Sequence, residues 1–86
     1  MRIEFSKKFM KRYKKLKTNQ QKKIDHTLAL FKIDPTSSRL KSHKLRGGMK
    51  KRQAISAGGD LRLIFEEHKN YTLVLFLDVG SHNQVY

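Results

Sequence analysis

The final third of the chain constrains the fold most, because two apolar segments are separated there by a short polar one. In residues 61–65 every second side chain is large and apolar, which is typical of a β-strand with one face in a core. Residues 71–79 are apolar at nearly every position, so we expect a central strand covered on both faces. The polar segment 66–70 has the length of a hairpin loop, which predicts that the two strands are antiparallel neighbours.

Polar side chains gather at the open end of this predicted hairpin. Asp60 and Arg62 begin the first strand, and Asp78, Ser81 and His82 come at the end of the second. In an antiparallel pair the start of one strand adjoins the end of the other. The sequence therefore predicts an acid, an arginine and a histidine at one edge of the sheet.

The first half of the chain predicts two amphipathic helices. Residues 2–5 are compatible with a short strand, and Ser6 is a suitable N-cap for the helix after it. Apolar residues then recur at helical spacing in two groups: Phe5, Phe9, Tyr13 and Leu16, followed by Ile24, Leu28 and Phe31. Thr18 or Asn19 can cap the second helix, and Asp34 should end it because a proline follows.

A polar connection links the helices to the hairpin. Leu40 and Leu45 are expected to anchor it against the domain, and the glycine pair at 47–48 marks a turn. Residues 50–57 have the pattern of a further strand.

In this strand we expect Ala54 to face inward and Gln53 and Ile55 to lie on the other face. The resulting order, β-α-α-β-β-β, predicts one α+β domain over residues 1–86. A hairpin of the two N-terminal helices would pack on a small antiparallel sheet.

The net charge of +13, from 20 Lys and Arg against 7 Asp and Glu, predicts a polyanionic partner. A nucleic acid is favoured over an acidic protein or a membrane surface. The basic side chains of the first helix would form either a solvated surface or a stripe that faces phosphate or a protein partner. They are Lys7, Lys8, Lys11, Arg12, Lys14 and Lys15. The absence of cysteine, of a signal peptide and of a membrane-length apolar segment favours the cytoplasm.

The four histidines differ in their sequence setting. His26 and His68 lie in polar surroundings, on a helix and in a loop, and are interpreted as surface residues. His43 precedes the glycine turn and His82 follows the last strand, and neither belongs to an apolar periodic segment. No metal-binding or nucleotide-binding motif is present, so we expect no metal and no cofactor.

RNA cleavage through the 2′-hydroxyl suits a basic chain with these residue types. The reaction needs a base for the 2′-oxygen proton, an acid for the 5′-oxygen, and cations for the developing phosphorane charge. Histidine can serve as acid or base near neutral pH, and arginine binds phosphate in a bidentate manner. The residues that match this set by type are His43, His82, Arg52, Arg62 and Tyr86.

Four segments carry a resemblance to a known family. They are FSKKFMKRYKKL (5–16), DPTSSRLKSHKLRG (34–47), KRQAISAGGDLRLIF (51–65) and LDVGSHNQVY (77–86). Through them the chain resembles the RelE/ParE superfamily of type II toxins, most closely its YafQ-like branch. The resemblance implies a RelE-like fold and a cytosolic toxin that cuts mRNA in the ribosomal A site without a metal. It also implies neutralisation by a cognate antitoxin, which we expect to be acidic.

The resemblance implies a catalytic set of His43, Asp60, Arg62, His82 and Tyr86. We expect the basic residues around them to bind RNA, namely Lys44, Arg46, Lys50, Lys51 and Arg52. The free toxin is expected to be monomeric and to have no membrane partner.

Two positions depart from the family pattern and keep other hypotheses open. Ile55 stands where the YafQ branch has a further histidine, and Asp78 stands where an arginine is common. One alternative is therefore an RNA-binding homologue with weakened or lost cleavage. Another is a ParE-like inhibitor that acts on DNA gyrase by binding alone, although the pair of histidines argues against a pure binder.

Overall fold

The computed structural model describes residues 1–45 and 51–86. Within these residues the elements are β1 (Arg2–Phe5), α1 (Lys7–Lys15), α2 (Thr18–Ile33), a 3-10 turn (Ser38–Leu40), β2 (His43–Lys44), β3 (Arg52–Ser56), β4 (Leu61–His68), β5 (Leu73–Ser81) and α3 (His82–Val85). The strands form one sheet in the order β1-β5-β4-β3-β2. The predicted α+β fold, with two N-terminal helices packed on a sheet, is confirmed.

One strand pairing differs from the antiparallel sheet that we predicted. β1 lies at the edge and runs parallel to β5, whereas the other neighbouring pairs are antiparallel. Both helices and three strands separate β1 from β5 in sequence. A connection of that length allows either direction of pairing, so the apolar pattern alone did not determine it.

The helix boundaries follow from local capping. The Ser6 hydroxyl accepts a hydrogen bond from the Phe9 N–H at 3.0 Å and donates one to the Leu77 carbonyl at 2.7 Å, which confirms the predicted N-cap. The N-cap of α2 is Lys17, which precedes both predicted caps, Thr18 and Asn19. Its backbone N–H donates to the Gln20 side chain at 3.0 Å. The second helix ends at Asp34 as predicted.

Phenylalanine side chains form the centre of the core between the helices and the sheet. Phe31 contacts Phe65 and Phe76 edge-on, with ring centroids 5.1 and 5.2 Å apart, and Phe9 packs on Phe76 at 5.9 Å. All four rings are almost completely buried. Burial of one such ring stabilises the fold by roughly 1.5–3 kcal/mol, so this cluster fixes the helical hairpin on one face of the sheet.

The opposite face of the sheet is partly covered, which corrects our assignment of the β3 residues. Ile55 is fully buried in the helix-covered core, whereas Ala54 is buried on the other face with Ile64 and Val85. Leu45 also packs there. The reason is α3, a helical turn at the chain end that covers this face and that the apolar pattern of the sequence does not predict.

The β4–β5 hairpin is longer than predicted. β4 continues to His68 and β5 begins at Leu73, so His68 lies at a strand end rather than in the loop, although its side chain is exposed. Lys69, Asn70 and Tyr71 all have positive φ angles, between 52° and 67°. This left-handed conformation ends the strand pairing and forms the turn.

Candidate functional site

The sheet register places several predicted site residues on the face opposite α1 and α2. His43 pairs with Ala54, Ala54 with Ile64, and Ile64 with Asp78. These four residues form one row across the sheet. Two residues further along β3, and therefore on the same face, Ser56 pairs with Arg62, which in turn pairs with Gly80.

The turn α3 folds the chain end back over this face. The Ser81 hydroxyl accepts from the Gln84 N–H at 3.3 Å, and the Gln84 side chain accepts from the Ser81 N–H at 2.8 Å. This is a capping box, and its S-x-x-Q signature was present in the sequence. The His82 N–H also donates to the Asp60 carbonyl at 2.9 Å, which joins α3 to the start of β4.

Gly80 makes room for this arrangement. A Cβ atom at this position would lie 2.6 Å from Gln84 Oε1 and 3.3 Å from Gln84 Cβ. The glycine that precedes Ser81 therefore lets the Gln84 side chain reach back and complete the cap.

The imidazoles of His43 and His82 meet at the Tyr86 side chain. The Tyr86 hydroxyl lies 3.1 Å from His43 Nε2, and the His82 and Tyr86 ring centroids are 4.3 Å apart, with the rings nearly perpendicular. His43 Nδ1 lies 3.4 Å from the Lys41 carbonyl oxygen, which can only accept a hydrogen bond. A proton on Nδ1 therefore leaves Nε2 to accept from Tyr86. We call these three residues the His–Tyr cluster.

Arg62 lies close enough to the His–Tyr cluster to influence it electrostatically. Partial burial raises the pKa of Tyr86 above its ordinary value, and the positive charge of Arg62 opposes that rise. The phenol is consequently neutral at physiological pH. Arg62 Nη1 donates to the carbonyls of Gly59 and Leu61 at 2.8 and 2.9 Å and lies 3.3 Å from Ser56 Oγ, so these contacts hold the guanidinium in place.

Asp60 is linked to the His–Tyr cluster by its backbone rather than by its side chain. Its side chain is exposed, and the contact that links it to the His–Tyr cluster is made by its backbone carbonyl to His82. The two remaining histidines lie elsewhere. His26 is exposed on α2, and His68 Nε2 lies 3.5 Å from Glu66 near the far end of β4.

Asp78 is buried, and two basic residues of α1 neutralise it. Its carboxylate oxygens lie 3.2 and 3.3 Å from Arg12 Nη1, and Lys8 Nζ lies 3.4 Å away. Arg12 Nη1 also donates to the Gln84 carbonyl at 3.2 Å, which links α1 to α3. The sequence showed Lys8 and Arg12 only as part of a general basic stripe, because their partners lie more than 60 residues away.

A model of the family described as "Bacterial toxin of type II toxin-antitoxin system, YafQ" matches residues 1–86. The chain belongs to the YafQ family.

Solved structures agree with this assignment at the level of fold. YafQ from E. coli is 22% identical with a TM-score of 0.82, and the match covers 100% of this chain and 99% of that one. The E. coli DinJ-YafQ toxin-antitoxin complex is 24% identical with a TM-score of 0.68, covering 98% and 94%. An archaeal RelE-RelB complex from Pyrococcus horikoshii is 15% identical with a TM-score of 0.75, covering 98% and 97%. Among curated proteins, no sequence is significantly similar to this one.

Membership of the YafQ family makes this protein the toxin of a type II toxin–antitoxin system. Of the two departures from the family pattern, Ile55 has no access to the candidate site, because it is fully buried on the helix-covered face. Asp78 lies on the site face but is paired with cations. Within residues 1–45 and 51–86, no helix has the length and apolar character needed to cross a membrane.

The expected RNA-binding residues of this YafQ-family toxin fall into three groups. Arg52 is half-buried, with Nε 3.5 Å from Glu66, and it lines a cleft of about 350 Å³ on the site face. Lys44 and Lys51 are exposed and line a second groove, of about 380 Å³, at the outer edge of β2 and β3. Arg46 and Lys50 lie outside the described residues.

Proposed function

We propose that this toxin is a ribosome-dependent mRNA endoribonuclease that cleaves in the A site by attack of the 2′-hydroxyl. The observation that carries the proposal is the His–Tyr cluster with Arg62 beside it, on a chain with a net charge of +13. Histidine side chains can serve as acid or base and arginine can contact phosphate, so this group supplies the residue types that the reaction needs.

In this mechanism one histidine removes the proton of the 2′-hydroxyl, and the other protonates the departing 5′-oxygen. Both imidazoles contact the Tyr86 side chain, with ring centroids 6.0 Å (His43) and 4.3 Å (His82) from that of the phenol, so both lie within reach of one bound nucleotide. The Arg62 guanidinium stabilises the charge that develops on the phosphorane. The neutral Tyr86 hydroxyl orients His43 in the free protein, and the reacting oxygen of the RNA takes its place at Nε2 when His43 exchanges a proton.

Replacing His82 with Gln tests this proposal. Removing one group that transfers a proton in the transition state should slow mRNA cleavage by roughly 10²- to 10⁴-fold. The measurement is mapping of mRNA 5′ ends in a translating extract, with His26→Gln as the matched control, since His26 is exposed on α2. Unfolding temperatures of the variants should remain close to that of the parent, because both histidines are exposed.

Cleavage by His82→Gln at the parental rate would contradict the assignment of His82. Intact mRNA in the parent extract would instead favour a toxin that binds without cleaving. An accompanying DNA-damage response would indicate a gyrase inhibitor.

The antitoxin that this type II toxin requires is proposed to be acidic. The support is the toxin's positive charge, much of which lies on exposed lysines of α1 and α2. A negatively charged partner would neutralise this surface and compete with RNA for it.

Action on ribosomes also implies that the toxin works in the cytoplasm.

A further inference from the structure

The cleft of about 350 Å³ on the site face is separate from the His–Tyr cluster but adjoins it. Val85 lines the cleft and precedes Tyr86, and Arg52 lines it two residues before Ala54, the strand partner of His43. Two residues along a strand span about 7 Å. A polynucleotide whose scissile phosphate lies at the His–Tyr cluster therefore reaches the cleft with its neighbouring nucleotide.

A β-bulge shapes the cleft. Ile64 pairs with Asp78 and Phe65 with Phe76, so Leu77 has no partner across the β4–β5 ladder. The extra residue bends the strand and turns a side chain out of the regular alternation. Leu77 lines the cleft, where it forms an apolar floor with Ile64 and Val85.

The rim of the cleft is polar and carries both signs of charge. The Lys8 and Arg52 side chains are 62% and 44% exposed, whereas Asp78 at the back is buried and paired with Lys8 and Arg12. Arg52 is also paired with Glu66, and Ser6 completes the rim with its hydroxyl engaged to Leu77. The two exposed cations therefore face solvent at the rim, and the anion lies at the back.

We propose that this cleft is a subsite for one nucleotide next to the scissile bond. Its volume is at the lower end of the range of about 300–1,000 Å³ for small-ligand sites, which suits a single nucleotide. The base would lie against Ile64, Leu77 and Val85, and the phosphate would lie at the rim between Lys8 and Arg52. This inference rests on the proposed function, because a nucleotide occupies the cleft only when the scissile phosphate next to it is bound at the His–Tyr cluster.

The test compares the affinities of short RNAs for the full-length toxin, free of antitoxin. The RNAs carry a 2′-deoxy sugar at the scissile nucleotide, so that they bind without being cut. A dinucleotide occupies the His–Tyr cluster, and trinucleotides extend it by one residue on the 5′ or the 3′ side. One of the two extensions should bind about tenfold more tightly than the dinucleotide, as expected from partial burial of one base and one added phosphate contact.

Two variants and a control localise this gain. Leu77→Trp fills the cleft and Lys8→Gln removes an exposed rim cation, so each should abolish most of the gain while leaving dinucleotide binding nearly unchanged. The control is Lys11→Gln, which removes an exposed cation of α1 that does not line the cleft. NMR of the methyl groups should show shifts at Leu77 and Val85 with the favoured trinucleotide but not with the dinucleotide.

The outcomes separate this inference from the proposed function. If the dinucleotide perturbs His43 and His82 but neither extension adds affinity, the subsite is wrong and the proposed function stands. If no RNA perturbs either histidine, both proposals fail. A gain that persists in Leu77→Trp and Lys8→Gln would place the third nucleotide elsewhere and would also overturn the subsite.

Discussion

Single residues bring the chain end to the candidate site. Gly80 leaves the space that Gln84 needs to complete the cap of α3, and the Asp60 carbonyl fixes the first residue of that turn. The Tyr86 side chain then contacts both histidines, and its hydroxyl lies 3.1 Å from His43 Nε2. The C-terminal residue of the described chain is therefore in hydrogen-bond contact with a residue 43 positions earlier in the sequence.

The titration of Tyr86 offers a test at this scale. Burial favours the neutral phenol and raises its pKa, while Arg62 lowers it, so Arg62→Gln should raise the pKa of Tyr86 further. The measurement is phenolate absorbance against pH, taken as the difference between each protein and its Tyr86→Phe counterpart. Arg2→Gln is the control, because Arg2 is exposed on β1 and paired with Glu4.

The direction of the linked stability change follows from the same shift. The folded state holds the proton of Tyr86 more tightly than the unfolded state, whose tyrosines have a pKa of about 10. This contribution is thus fully present below pH ~10 and is lost as the pH rises through the folded pKa. A Tyr86 pKa at or below the ordinary tyrosine value would contradict the partial burial of this side chain.

At the scale of elements, α3 is held by contacts with two other elements. Asp60 binds it at its start, and Arg12 of α1 binds its Gln84 carbonyl while also binding Asp78 of β5. Because α3 begins at His82 and Tyr86 is its C-cap, the position of both side chains depends on α1, a helix near the other end of the chain. The buried negative charge of Asp78 is neutralised by Lys8 and Arg12, and these ion pairs hold α1 at this end of the sheet.

Arg12→Ala should therefore loosen α3. It removes the bond to Gln84 and deprives the buried Asp78 carboxylate of one of its two cationic partners, which should cost about 1–3 kcal/mol of unfolding free energy. Urea unfolding measures this cost, and the nuclear Overhauser effect between the His82 and Tyr86 rings reports on the site.

Asp78→Asn is the matched variant for this prediction, because it removes the charge pair but retains the Arg12 contact with Gln84. Both variants should lose stability, and only Arg12→Ala should weaken the contact between the His82 and Tyr86 rings. Equal ring contacts in the two variants would show that Arg12 does not position α3.

Local patterns were sufficient to predict the elements but not the site contacts. The period of the apolar residues gave both helices and the last two strands, and Ser6 gave a cap that the structure confirms. The prediction that Ala54 faces the main core and Ile55 the opposite face was wrong. Ala54 is buried instead by Val85 of α3, a helical turn that the apolar pattern does not predict. The pairing of Arg12 with Asp78 joins residues 66 apart, and no local periodicity encodes such a contact.

At the scale of the whole molecule, the charge of +13 must affect every binding equilibrium of the toxin. Neutralised phosphates release counterions, so RNA affinity should fall steeply with salt. For six to ten phosphate contacts, the loss between about 50 and 200 mM is roughly 10³- to 10⁵-fold. Exposed lysines lie on α1 and α2 as well as around the site face, so RNA and an acidic antitoxin would meet overlapping positive potential even where their contacts differ.

Heparin binding of the free toxin and of its antitoxin complex tests this view of the charge. The free toxin should elute from heparin at high salt. The complex with an acidic antitoxin should elute at distinctly lower salt, because the antitoxin already covers and neutralises the basic surface that heparin would bind. Replacing Lys14 and Lys15 of α1 with Gln in the free toxin calibrates the effect of losing two exposed charges. If the complex elutes as late as the free toxin, the antitoxin leaves the basic surface open, and neutralisation must then depend on a local block of the His–Tyr cluster rather than on charge.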